Sequence, residues 1–191
     1  QLIKKALDAG ASAIMVPQIN TAEEARLAVQ YAKYPPQGSR GVSPLWTFFM
    51  DVPWDDYLPV ANDETAIIVQ IESPRGIENL EAIAAVEGVD VVFAGPADLS
   101  ASLGHIGQIN HPDVQRFLED FPRRVAELRS KSSTSGIFWV AAEGGMDISG
   151  ICWKNPGHRG KCRQLHRPSG SNTMKLTLST LFVIAAATAA S

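Results

Sequence analysis

The sequence has little cysteine and no excess of basic charge. Its two cysteines, Cys152 and Cys162, are too few to define a disulfide framework. The 17 Lys and Arg residues against 20 Asp and Glu residues give a formal net charge of -3, so the chain has no general positive field and we expect no nucleic-acid partner. With 191 residues, 45% hydrophobic and 19% charged, the composition is typical of about one globular domain. The net charge fits small polar ligands better than nucleic acid.

Acidic charge is concentrated in the first part of the chain. Residues 1–138 contain 11 Lys and Arg against 18 Asp and Glu, whereas residues 139–191 contain 6 against 2. The second part is rich in Gly, Pro and Ser over residues 151–173 and has no sustained period of 2 or 3.6. We therefore predict a folded region of residues 1–138, an irregular linker-like segment of residues 139–173 and an apolar tail of residues 174–191.

Apolar strands alternate with helices in the folded region. The segments "ASAIMVP", "TAIIVQIE", "GVDVVFAGPADLS" and "SGIF" have the continuous apolar character of buried strands. Thr21 is placed to cap a helix over residues 22–32 and Ser73 to cap the helix after the second strand. A further helix over residues 111–131 is predicted to break or kink at Pro122. This α/β pattern favours a parallel sheet, either in an α/β barrel or in an open doubly wound fold.

Two carboxylates, Glu72 and Asp98, each follow one of these strands. In both architectures, ligands bind beyond the carboxyl ends of parallel strands, which is where these two residues lie. One interpretation is that each acid caps the helix that follows it. The other is that the pair holds Mg²⁺ or Mn²⁺, which take carboxylate oxygens as ligands. Spacing alone leaves both interpretations open.

Three motifs carry a family resemblance: YPPxGxRG at residues 34–41, VQIE at residues 69–72 and GPADLS at residues 95–100. With their flanking residues, they resemble the class II 2-oxo acid aldolases of the HpcH/HpaI aldolase and citrate lyase family, from residue 1 to about Phe138. The resemblance implies a (β/α)8 TIM barrel of the phosphoenolpyruvate/pyruvate superfamily type. Residues 1–138 match about strands 4 to 7 of it, so we expect a partial barrel, truncated at both ends.

The resemblance also implies a site. A divalent metal, typically Mg²⁺, Mn²⁺ or Co²⁺, is expected to bind Glu72 and Asp98. Gln70 is expected to contact the substrate, and the backbone N–H groups of Ala97 and Asp98 to receive the carboxylate of pyruvate. Asp8 is expected to support a catalytic base histidine. Without the resemblance, Asp8 is a solvated helix residue.

The reaction implied by the resemblance is that of a lyase: metal-assisted aldol cleavage of a 4-hydroxy-2-oxo acid to pyruvate and an aldehyde. The family's base histidine and enolate-stabilising arginine come from earlier strands and have no matching residue here. His111 precedes a helix start, and His105 is a weaker candidate for a substrate contact. The alternative is therefore an inactive fragment that keeps the metal and 2-oxo acid site.

The resemblance also bears on partners and location. We expect a small-molecule 2-oxo acid and an aldehyde as partners, no membrane association, homo-oligomers for the full-length family and a cytoplasmic location.

The last 18 residues, "MKLTLSTLFVIAAATAAS", resemble a secretory signal peptide at the wrong end of a chain. We interpret this as a conceptual translation that runs from a truncated aldolase into another reading frame. A tail anchor is the alternative, although the apolar stretch of residues 176–190 is short against the roughly 20 residues of a membrane helix.

Overall fold

The computed structural model describes residues 2–45, 52–131, 138–141, 152–154, 162–164 and 181–183. The described strands are β1 (Ala13–Val16), β2 (Ala66–Ile71), β3 (Val91–Ala94), β4 (Phe138–Ala141), β5 (Cys152–Lys154), β6 (Cys162–Gln164) and β7 (Leu181–Val183). The described helices are α1 (Leu2–Asp8), α2 (Ala22–Ala32), α3 (Trp54–Glu64), α4 (Pro74–Glu78), α5 (Leu80–Ala84), α6 (Pro96–Ser102) and α7 (Pro112–Lys131).

The main sheet is parallel and its first four strands lie side by side in chain order. The strand order is β4-β3-β2-β1-β7, and each of these pairs is parallel. The register aligns Met15 with Ile68 and Gln70 with Phe93. This order has no reversal from β1 to β4, whereas a doubly wound sheet reverses at its switch point. Among the strands that the structure describes, the predicted parallel α/β sheet is therefore present.

The strands β1, β2 and β3 bury side chains on both of their faces. Alternate residues, such as Ile14, Val69 and Val92, join the core that the helices cover. The residues between them point to the other face because successive side chains in a strand alternate. Met15 and Phe93 on that face are also buried. This double burial explains why the strands are apolar along their length.

The helices pack on one another in chain order, with α1 against α2, α2 against α5 and α5 against α7. Their start signals work as the sequence predicts. The Thr21 hydroxyl accepts from the N–H of Glu24, whose side chain returns to the backbone of Thr21 in a capping box. The Ser73 hydroxyl accepts from the N–H of Gly76. Both caps are confirmed.

We predicted that the helix breaks or kinks at Pro122. It does not break there, because α7 runs as one continuous helix through this residue. Proline removes one backbone hydrogen bond from a helix interior. The helix offsets this loss by burying Phe117, Phe121 and Val125 along one face. Phe121 is fully buried, so the packing of this face outweighs the cost of the proline.

Short strands also occur after residue 138, where we expected an irregular segment and an apolar tail. β4 begins at Phe138 and runs to Ala141, across the predicted boundary at Phe138. β5 and β6 form an antiparallel pair, and β7 pairs in parallel with β1, with Leu181 opposite Ala13. An open strand edge offers unpaired N–H and C=O groups to any apolar segment of strand-forming residues. The division of the chain at residues 138 and 173 stays a prediction.

No helix in the described ranges combines the length and the apolar character needed to cross a membrane. The longest, α7, is an amphipathic surface helix that carries several charged residues.

Candidate functional site

Glu72 lies directly after β2, at its carboxyl end, and Gln70 is two residues earlier in the same strand. The two side chains share the sheet face that does not pack on the helices, because a strand repeats every two residues. Glu72 is only 3% exposed. A carboxylate this deeply buried requires hydrogen-bond donors or a cation around it.

One oxygen of Glu72 has a donor. Oε1 accepts a hydrogen bond of 2.7 Å from the backbone N–H of Gln18. Gln18 has a φ of 56°, in the left-handed region that few residues other than Gly and Asn adopt. This turn after β1 directs the N–H of Gln18 toward the end of β2. Sequence reasoning missed Gln18, since glutamine gives no signal for a positive φ.

The second carboxylate oxygen of Glu72, Oε2, lacks a hydrogen-bond donor in the described part of the chain. Oε2 is buried and has no hydrogen-bond partner among the residues that the structure describes. Burial raises the pKa of Glu72 to about 7, with the Gln18 hydrogen bond opposing this shift and the nearby carboxyl of Asp98 contributing to it. Two carboxylates that face each other are both acceptors, so either a proton or a cation must lie between them. This arrangement fits a cation.

The structure thus brings together two of the predicted ligands, Glu72 and Asp98. Asp98 lies in the first turn of α6, directly after the end of β3, and is exposed. β2 and β3 are neighbours in the sheet, so their carboxyl ends meet at one edge. The first N–H groups of a helix have no carbonyl partner within that helix. The N–H groups of Ala97 and Asp98 therefore lack such a partner, and they lie near the carboxyl end of β3.

Gly95 makes the close packing of this site feasible. A Cβ atom at Gly95 would lie 2.6 Å from Nε2 of Gln70 and 2.6 Å from Oε2 of Glu72. Both distances are far below van der Waals contact. Because Gly95 has no side chain, the amide of Gln70 and the carboxylate of Glu72 can both pack directly against its backbone.

The loop after β1 is fixed to the end of β2 by further hydrogen bonds. The N–H of Ile19 donates to the carbonyl of Gln70 at 3.1 Å. The Ser73 hydroxyl bonds to the side chain of Asn20, and the Asn79 amide donates to the Asn20 carbonyl at 2.8 Å. The two residues that follow Gln18 are thus fixed to the end of β2 and to the segment after it.

Asp8 is not part of this group. It is the last residue of α1, which leads into the amino-terminal end of β1, whereas Glu72 follows the carboxyl end of β2. Its carboxylate accepts a hydrogen bond of 2.8 Å from Nη2 of Arg40 and also bonds to Lys4. Arg40 is buried, and its guanidinium lies over the ring of Tyr34. The support of a base histidine by Asp8 stays a prediction.

The four histidines of the chain fall into two groups. His105 and His111 contact each other and Asp113. His158 and His166 lie outside the described residues. The contacts given for the described histidines thus do not include Glu72 or Asp98.

Several known proteins are similar to this chain in sequence. The hydroxypyruvate/pyruvate aldolase of Deinococcus radiodurans is 54% identical over 127 residues, which cover 65% of this chain and 45% of that protein. The 5-keto-4-deoxy-D-glucarate aldolase of Escherichia coli is 46% identical over 125 residues, which cover 65% of this chain and 49% of that protein. The chain spans about half the length of the curated relatives it matches.

A solved structure agrees with these relatives. The HpcH/HpaI aldolase from Desulfitobacterium hafniense superposes with a TM-score of 0.60 at 39% identity, covering 74% of this chain and 54% of that one. The model of the HpcH/HpaI aldolase/citrate lyase family matches residues 1–144. The resemblance noted from the three motifs is confirmed, and the chain belongs to the HpcH/HpaI aldolase/citrate lyase family.

Proposed function

We propose that this protein is a divalent-metal-dependent aldolase that cleaves 4-hydroxy-2-oxo acids to pyruvate and an aldehyde. The observation that carries the proposal is the buried Oε2 of Glu72, which has no donor in the described part of the chain and faces the carboxyl of Asp98. Relatives named as hydroxypyruvate/pyruvate and 5-keto-4-deoxy-D-glucarate aldolases support the reaction class. The described strands, in this proposal, are a sector of a TIM barrel.

The donor set fits a hard cation. Glu72 and Asp98 supply carboxylate oxygens, and Mg²⁺ and Mn²⁺ are commonly bound by one or two carboxylates together with water and substrate oxygens. A divalent cation held there supplies Lewis acidity to the 2-oxo acid. The buried position of Glu72 adds to this preference, because a cation offsets the unfavourable burial of its charge.

The remaining groups of the site are arranged to bind the 2-oxo acid. The amide of Gln70 lies over Gly95, within the same small space as Glu72. The N–H groups of Ala97 and Asp98 at the start of α6 are donors for the substrate carboxylate. Together these residues fix the orientation of the acid, while Gly95 leaves room for it close to the backbone.

A second candidate function is binding of the 2-oxo acid without cleavage. Cleavage requires a base for the proton of the 4-hydroxyl group. The two described histidines, His105 and His111, both contact Asp113. The contacts of these two rings do not include Glu72 or Asp98. Binding without turnover therefore remains the competing proposal.

Titration with Mn²⁺, in the presence and absence of pyruvate, tests the site that both proposals share. Wild-type protein should bind one equivalent of Mn²⁺ at this site, and pyruvate should tighten that binding. Glu72→Gln and Asp98→Asn should each abolish the pyruvate effect, whereas Glu78→Gln, an exposed acid on α4, should leave it intact. Equal pyruvate-dependent binding in all four proteins would overturn the assignment.

A turnover assay then separates the two functions. Release of pyruvate from a 4-hydroxy-2-oxo acid, dependent on Mn²⁺ and lost in Glu72→Gln, would establish the aldolase. Pyruvate-dependent metal binding without any release would establish the binding protein instead.

A further inference from the structure

A second group of metal-ligating side chains lies in the loop between α6 and α7. The rings of His105 and His111 stack with their centroids 3.4 Å apart and their planes at 18°. Nε2 of His105 is 3.3 Å, and Nδ1 of His111 is 3.6 Å, from Oδ2 of Asp113. One ligand atom from each of the three residues lies within 4.8 Å of the others. Metal bonds to such ligands are about 2 Å long and lie in the plane of the imidazole, so rotation of the stacked rings about their side-chain bonds brings the three atoms onto one ion.

Backbone hydrogen bonds fix the spacing of His105 and His111 in this loop. The N–H of Gln108 donates to the carbonyl of His105 at 2.8 Å, and the N–H of His111 donates to the carbonyl of Gln108 at 2.9 Å. Gly104 and Gly107 adopt positive φ values of 84° and 76°, which these tight turns require. The main-chain turns therefore bring the backbones of His105 and His111 close together.

The nitrogen of His111 that faces Asp113 acts as an acceptor. Nδ1 receives a hydrogen bond from the backbone N–H of Asp113 at 3.3 Å. A ring nitrogen that accepts a hydrogen bond carries a lone pair and no proton, which is the form that binds a metal. This hydrogen bond is long, so its loss to a metal ion costs little.

Solvent has access to all three side chains. The side chains of His105, His111 and Asp113 are 27%, 28% and 45% exposed. Arg116 lies 3.5 Å from the other oxygen of Asp113, Oδ1, and is itself 77% exposed. The arginine is thus a weak competitor that leaves Oδ2 to the histidines.

The ligand types distinguish this group from the acidic pair at the sheet edge. Glu72 and Asp98 offer oxygen alone, which suits Mg²⁺ and Mn²⁺. Imidazole nitrogen favours first-row transition metals such as Zn²⁺ and Co²⁺. Two imidazoles and one carboxylate, with a water molecule, complete a four-coordinate zinc site. We propose that His105, His111 and Asp113 form a second metal site, which binds a divalent transition metal independently of Glu72 and Asp98.

Co²⁺ is a suitable probe because its visible absorption reports coordination by nitrogen. The test uses the full chain in which the acidic site and all other histidines and thiols are removed by Glu72→Gln, Cys152→Ser, Cys162→Ser, His158→Asn and His166→Asn. His105 and His111 are then the only histidines left in the chain. In excess Mg²⁺, which saturates sites made of oxygen, this protein should bind one equivalent of Co²⁺.

Variants of the three ligands decide the proposal. His105→Asn and His111→Asn, each in that background, should weaken Co²⁺ binding by at least about tenfold, and Asp113→Asn should weaken it in the same direction. Arg116→Gln is the matched control and should bind Co²⁺ as tightly as the background or more tightly. Circular dichroism melts in EDTA verify that each variant is folded. His105→Asn keeps the test valid if the helix-start variants do not fold, because His105 lies in the loop before α7. Failure to bind one equivalent of Co²⁺, or equal binding with and without His105, would overturn the proposal.

Discussion

The backbone N–H of Gln18 and the carboxylate of Glu72 are joined by a hydrogen bond of 2.7 Å across 54 positions of the chain. The bond crosses from the turn after β1 to the end of β2, two strands that pair in parallel. It stabilises one oxygen of Glu72 and leaves the other, Oε2, for the cation that we propose. The orientation of the carboxylate therefore depends on a residue with an uncommon backbone conformation.

Substitutions at Gln18 should separate its backbone from its side chain. Gln18→Gly keeps the N–H and readily adopts a φ of 56°, so Mn²⁺ affinity should be unchanged and stability within about 1 kcal/mol of wild type. Gln18→Pro removes the donor and fixes φ near -65°. It should weaken Mn²⁺ binding in a calorimetric titration. Equal affinities for the two variants would show that the hydrogen bond does not position Glu72.

Gly95→Ala should disrupt the site by steric conflict. The added methyl group would lie 2.6 Å from both the Gln70 amide and Oε2 of Glu72, so one of these side chains must move. We expect at least about a tenfold loss in Mn²⁺ affinity, since ligand orientation typically controls metal binding to this degree. Gly41→Ala is the control, because its methyl group meets only the flexible end of Lys4, at 3.2 Å. A loss of affinity of the same size in both variants would point to a general packing effect.

The raised pKa of Glu72 makes a prediction about stability and pH. In the folded chain its pKa is about 7, against an ordinary value of 4.5. Its contribution to stability is therefore fully present below about pH 4.5 and is lost as the pH rises through 7.

Glu72→Gln lacks this ionisation. In EDTA, the free energy of unfolding of the variant relative to wild type should rise from pH 5 to pH 8, by up to about 3 kcal/mol at about 1.4 kcal/mol per pKa unit. Urea denaturation measures it. A constant difference across this range would mean that the pKa of Glu72 is ordinary.

Asp8→Asn tests whether this residue acts in structure or in catalysis. Arg40 is buried against Asp8, so loss of the negative charge leaves the guanidinium poorly compensated. Loss of one partner of a buried pair costs about 3 kcal/mol or more. We expect Asp8→Asn to melt at a lower temperature than wild type. Its Mn²⁺ affinity, measured at a low temperature where the variant is folded, should be unchanged. Unchanged stability would contradict the structural role.

The location of the acidic pair could be predicted from the sequence because it depends on local patterns. Apolar runs place the strands; Glu72 follows β2 directly, and Asp98 lies in the first turn of the helix after β3. The caps at Thr21 and Ser73 follow from residue type and spacing in the same way. These features require no knowledge of which distant residues meet.

Features that depend on distant contacts could not be predicted. No signal in the sequence links Gln18 to Glu72, because that bond depends on a left-handed residue in a turn. The pairing of Asp8 with Arg40 joins positions 32 apart, and it was missed because the charge of Asp8 alone suggested a solvated helix residue. The predicted break at Pro122 considered only the local effect of proline on a helix. The helix α7 is continuous because its buried face, which contains Phe121, stabilises it.

Anomalous diffraction from crystals grown with Mn²⁺ and pyruvate would locate the cation. We expect a manganese peak bonded to Oε2 of Glu72 and to the carboxylate of Asp98, with pyruvate beside it and the N–H groups of Ala97 and Asp98 at its carboxylate. A well-ordered site without manganese, in which Glu72 Oε2 instead hydrogen-bonds Asp98 through a shared proton at pH 8, would contradict it.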